Sequence, residues 1–159
     1  MELRFRVAAR IARPVADVFE AVVNPATLSQ YFTTGGAVGR LETGATVQWE
    51  FHDFPGAFPV DVVAVETNRR IVLRWDANEG APGDAATATV PATYQTTVTM
   101  TFDPLDEGRT LVSIEEEGWR PTEAGLKASY GNCQGWTEML CSLKAYLEHG
   151  IRLREGMYK

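Results

Sequence analysis

The sequence predicts an α+β fold in which one long C-terminal helix packs on an antiparallel sheet. Three observations predict it. From Leu126 to Leu147, the apolar residues Leu126, Tyr130, Cys133, Trp136, Leu140, Leu143 and Leu147 recur at steps of three and four, which at about 100° per residue keeps them on one face of a helix. Upstream, segment after segment alternates apolar with polar residues, the period of strands with one wet face. The links between these segments are short and rich in Gly, Asp, Asn and Pro, which suits hairpins and leaves no room for crossovers. A striped helix that follows many half-apolar strands buries its stripe on their sheet.

Composition bounds the rest. A chain of 159 residues that is 45% apolar and 23% charged is read as one globular domain, residues 1–159. Its formal charge of -6 argues against nucleic acid and against anionic membrane surfaces, both of which select a basic face. The N-terminal MELRFRVAAR lacks the apolar core of a secretory signal, and no run approaches about 20 apolar residues, so a cytoplasmic protein is expected. Cys133 and Cys141 stand eight apart on the helix, roughly 12 Å of rise, too far for a disulfide within it. They read as reduced packing residues, and no cofactor or metal motif accompanies them.

Taken in order, Leu3, Phe5, Val7, Ala9 and Ile11 alternate with Arg4, Arg6, Ala8 and Arg10 and form the first strand. Pro14 suits a first helical turn, and Val15, Val18, Phe19, Val22 and Val23 keep helical spacing until Asn24-Pro25 stops them. Asn24 then caps a second short helix, Pro25 to about Tyr31. After Thr33-Thr34-Gly35-Gly36 the segments Ala37–Arg40, Ala45–Phe51, Phe58–Glu66, Ile71–Asp76, Tyr94–Phe102 and Thr110–Trp119 read as strands, giving about seven in all. The stretch Asn78 to Pro91 is small, polar and aperiodic, either a lid or a variable surface loop.

Strand parity sorts the faces. Val47, Trp49, Phe51, Phe58, Val60, Val62, Ile71, Leu73, Trp75, Tyr94, Thr96, Val98, Met100, Phe102, Val112, Ile114 and Glu116 take the inward side, and the other side is mostly polar. The inward aromatics, opposite Tyr130 and Trp136, either fill a thick core or wall a cavity. Strict alternation after Val112 and Ile114 sends Glu116 inward, where an acid beside Tyr94 is a polar handle of the kind a small-molecule site carries. The alternative is that a bulge or the end of the strand at Gly118 turns it to solvent. The expected pocket is Trp49, Phe51, Val62, Leu73, Trp75, Tyr94, Val98, Glu116, Tyr130, Trp136 and Leu140. His52 and His149 are expected at the surface, and no catalytic triad, phosphate loop or metal spacing appears. Met139 and Tyr146 form a smaller apolar side of the long helix, for the two short helices or for a second copy in a homodimer.

Four segments carry a family resemblance: Ile11 to Phe19, Asn24-Pro25 to Tyr31-Phe32, Arg70 to Trp75, and Gly135-Trp136 leading into Leu143 to Ile151. With the element order, they resemble the bacterial AHSA1 group, homologues of the activator of Hsp90 ATPase within the START/Bet v 1-like (SRPBCC) superfamily. Tyr31 stands where the group commonly carries tryptophan, which keeps an aromatic there. The resemblance covers nearly the whole chain and implies a helix-grip fold with a cavity between sheet and helix for a small hydrophobic ligand. Three functions follow. The first is a non-enzymatic binding protein for a hydrophobic or aromatic molecule, the second an interaction module for a chaperone or regulator, and the third a cyclase-like or aromatase-like enzyme using Glu116 or Tyr94.

Overall fold

The structure, a computed structural model, describes residues 1–80 and 94–158. The elements run β1 (Leu3–Ile11), α1 (Val15–Val23), α2 (Pro25–Tyr31), β2 (Gly36–Val38), β3 (Thr46–Phe51), β4 (Phe54–Glu66), β5 (Arg70–Asp76), β6 (Gln95–Asp106), β7 (Arg109–Trp119) and α3 (Glu123–His149). The order matches the sequence reading. The extents differ at hairpins: β4 begins at Phe54, and β6 continues to Asp106 because Asp106 and Arg109 close a tight turn with an ion pair at 2.8 Å. The expected loop over Asn78 to Pro91 lies, from residue 81 onward, outside the described residues.

Local chemistry sets the helix ends. Pro25 occupies the first turn of α2, whose cap Asn24 accepts from the Ala26 N–H at 3.0 Å, satisfying a donor the helix cannot reach. The Tyr31 hydroxyl, fully buried, donates back to the Ala21 carbonyl at 2.9 Å and ties α2 to α1. Thr122 caps α3 through the Gly125 N–H at 3.1 Å, and Gly150 ends it in the left-handed conformation, φ 68°, which glycine adopts without strain.

The seven strands form one antiparallel sheet in the order β1-β7-β6-β5-β4-β3-β2. In this register Leu73 of β5, Val98 of β6 and Glu116 of β7 stand side by side, with Trp75 opposite Thr96 one inward position further along. Helix α3 runs along β1 and β7 and meets α2, and the main core lies between them, from Ile11 and Phe19 to Leu140 and Leu143. A second, smaller cluster gathers Leu3, Ala77 and Trp119 with Phe5, Tyr94 and Leu126 around it.

The buried face of α3 is rotated from the expected stripe. Trp136, Leu140 and Leu143 are buried as predicted, but Gly125, Ser129, Met139 and Ser142 share the face with them. Tyr130 is 67% exposed, which corrects its place in the pocket. Ser129 lies on this face, so the next residue points about 100° further round, toward water. Met139 is buried and Tyr146 stacks on Tyr31 at 5.8 Å, so the smaller apolar side is used within the chain.

Two fastenings hold the C-terminal end. The Lys144 ammonium donates to the Arg10 carbonyl at 2.8 Å, and Glu148 accepts from the Ala12 N–H at 3.1 Å, so the last turns of α3 engage the backbone at the end of β1. Beyond the helix, Arg154 binds Asp53 through two hydrogen bonds of 2.7 and 2.9 Å, both side chains 7% exposed. Its guanidinium also lies 4.5 Å from the Tyr158 ring centre and 5.4 Å from that of Phe51. The tail is thereby docked on the β3–β4 turn.

Gly125 marks the tightest approach. A Cβ there would stand 2.0 Å from the Arg120 carbonyl oxygen, and backbone cannot swing aside as a side chain can. Gly125→Ala is expected to lower stability by about 1–3 kcal/mol, read as a reduced urea midpoint with an unchanged slope.

Candidate functional site

Glu116 is 0% exposed. Alternation along β7 carries it inward, and the positive φ of Gly118, 105°, distorts the strand only beyond it. The expectation of an inward acid holds, and the bulge does not turn it to solvent. Its partners come from three other elements. Trp75 Nε1–H of β5 donates to Oε1 at 2.8 Å, and Thr96 Oγ1–H of β6 donates to the same oxygen at 2.7 Å. From α3, Trp136 Nε1–H donates to Oε2 at 2.8 Å, and the Asn132 amide reaches both oxygens at 3.0 and 3.2 Å.

A carboxylate offers roughly four lone-pair positions, and these donors fill them. Indole N–H groups only donate, so the arrangement suits the ionised acid. Burial pushes the Glu116 carboxyl up from its ordinary value, and the donors pull against that without cancelling it. No cation pairs with Glu116 among the described residues, so the charge is held by dipoles alone.

Aromatic rings surround the acid. Trp75 stacks on Trp136 at 5.4 Å, Trp136 on Phe32 at 5.5 Å, and Trp49 stands edge-on to Trp75 at 6.0 Å with the planes at 90°. Phe51 and Phe58 extend the cluster outward. Trp75, Phe51, Phe58 and Asn132 are half-buried, so the cluster reaches the surface on that side. The Trp49 N–H is buried with no hydrogen-bond partner among the described residues, a state that costs about 1–3 kcal/mol.

Of the other expected pocket residues, Val62, Leu73, Val98 and Leu140 are buried in the main core. Tyr94 is not among the donors to Glu116. It belongs to the second cluster, where its hydroxyl donates to Glu79 and accepts from the Arg120 N–H, with the Arg120 guanidinium 4.5 Å from its ring centre. Burial, then the bond to Glu79, raises its hydroxyl's affinity for the proton. Sequence reading missed Phe32 and Asn132. Phe32 closes α2, and Asn132, on the rotated face of α3, carries no apolar signal. Two clefts lie away from the acid: one of about 440 Å³ between α1 and the β4–β5 turn, and one of about 240 Å³ between α2, the β3–β4 turn and the tail.

The family model of the activator of Hsp90 ATPase homolog 1-like proteins (AHSA1) matches residues 12–148. The chain belongs to this family. The AHSA1 match runs from the end of β1 to the last turn of α3 and so contains Trp75, Thr96, Asn132 and Trp136, which hydrogen-bond Glu116. No curated protein sequence matches the chain. Among solved structures, a Staphylococcus saprophyticus protein is 23% identical with a TM-score of 0.71, the match covering 94% of this chain and 95% of that one. The Aha1 dimer of Colwellia psychrerythraea is 17% identical with a TM-score of 0.67, covering 93% and 98%. DynU16, from the dynemicin biosynthetic locus, is 23% identical with a TM-score of 0.74, covering 95% of this chain and 49% of that one. These likenesses establish the helix-grip fold of AHSA1 and SRPBCC proteins, in which a seven-stranded sheet grips a long C-terminal helix.

The raised Glu116 carboxyl has a pH consequence. A folded-state value above the unfolded one means that the folded chain holds the proton more tightly. Its contribution is fully present below about 4.5, the ordinary value, and is lost as pH rises through the folded value. Glu116→Gln removes it and also turns an amide toward donors, which costs about 1–3 kcal/mol. Urea unfolding across a pH series is expected to show the wild-type advantage over this variant shrinking from acid toward neutral pH. A growing advantage would mean that the donors outweigh burial.

Proposed function

We propose that this AHSA1 chain binds a small hydrophobic or aromatic molecule among the rings between the sheet and α3. The observation that carries this reading is the ring cluster itself. Phe32, Trp49, Trp75 and Trp136 converge on a fully buried acid and continue through half-buried Phe51 and Phe58 to the surface. Rings of this kind give a flat ligand large contact areas and stacking partners. They touch one another in this structure, so a ligand takes its place by parting them. Half-buried Phe58, whose side chain holds no hydrogen bond, is the ring best placed to turn.

Glu116 supports binding over catalysis. A general acid or base needs a free hydrogen-bonding position facing the ligand, and its oxygens are already taken by Trp75, Thr96, Asn132 and Trp136. The close packing of the rings favours one second reading, an interaction module that meets a chaperone or a second copy through its surface. The family description and the likeness to an Aha1 dimer bear in the same direction.

Native mass spectrometry of protein purified without denaturant, with a thermal-shift panel of neutral aromatic compounds, tests the binding reading. A bound small molecule, or an added mass with an upward shift, is expected. A ligand at about 100 times its Kd adds about 2.7 kcal/mol, or several degrees for a chain of this size. No adduct and no shift across the panel would overturn it, and stimulation of an Hsp90-type ATPase would then favour the interaction module.

A further inference from the structure

Glu116 makes the interior look like a site for cations or donors, but its oxygens have no position to spare. What the cluster leaves unmatched is the opposite polarity. The Trp49 side chain is 1% exposed and its N–H has no hydrogen-bond partner among the described residues. It stands edge-on to Trp75 and to Phe32, 5.7 Å from the latter at 85°, inside the ring cluster. The indoles of Trp75 and Trp136 in that same cluster are both matched to the acid. The Trp119 N–H is also buried without a partner among the described residues, but it lies in the second cluster with Leu3 and Ala77.

We propose that Trp49 is the specificity-determining donor of the site, and that the ligand is a neutral, mostly apolar molecule bearing one acceptor oxygen, a carbonyl or an ether. The inference rests on the binding reading above. An acceptor oxygen completes the Trp49 N–H, while the apolar body takes the ring faces. A negatively charged ligand is disfavoured by the carboxylate of Glu116. A buried donor left without its partner discriminates against the analogue that lacks the oxygen.

The test uses a pair of flat probes that differ only at that oxygen, 9-fluorenone and fluorene. Titration calorimetry on the wild-type chain is expected to show fluorenone binding about tenfold more tightly, the weight of one buried hydrogen bond. In Trp49→Phe, which keeps a ring and removes the N–H, the fluorenone-to-fluorene ratio falls to about one, whatever the change in fluorene affinity itself. The assigned Trp49 indole N–H resonance of the wild-type protein gives a second readout that needs no variant, moving with fluorenone and not with fluorene. Equal affinities with an unmoved resonance would overturn the role of Trp49 and leave the binding reading standing. Absence of binding by either probe would overturn the role, and the panel result decides separately whether the binding reading falls with it.

Discussion

The fold depends on keeping a carboxylate out of water. An acid at the centre of β7 is costly unless its oxygens are satisfied, and here β5, β6 and α3 each send donors to it. The consequence is mechanical as well as electrostatic. Hydrophobic burial alone would let α3 slide along the sheet, since apolar contact has no preferred register. Hydrogen bonds from Asn132 and Trp136 to one fixed acid remove that freedom. They also set the tilt of two indoles, so Trp75 and Trp136 stack at 5.4 Å with planes 28° apart, and the remaining rings pack around that pair.

Much of this was legible in the sequence because strands have period two. Alternation along Val112, Ile114 and Glu116 puts the acid inside, and alternation along β6 puts Thr96 beside it. The helix was harder. Its stripe was read from apolar residues, yet the buried face includes Ser129 and Ser142. Small polar residues let a helix approach a sheet closely but are invisible to a hydrophobic count, so Tyr130 was misplaced and Asn132 overlooked. The Asp53–Arg154 pair was illegible for a different reason. Its partners are about a hundred positions apart, in a turn and a tail, where no periodicity connects them.

The family assignment and the interior answer different questions. Solved relatives at 17 to 23% identity share the architecture, and a shared scaffold leaves chemistry to the side chains it holds. In this chain those side chains are large rings around an acid that is already saturated. The scaffold is thus common property, while the ring cluster and the satisfied acid are features of this chain's own side chains.

The seam between α3 and β1 has a further effect. An open sheet presents two borders on which another strand can lie, and such borders seed aggregation. On one side β2 is only three residues long. On the other, exposed Arg4, Arg6 and Arg10 line β1, so an antiparallel copy would set cation against cation, while Lys144 and Glu148 already occupy backbone groups at the strand's far end. The side chains that fasten the helix thus also serve as a bumper against fibre-like stacking along this border.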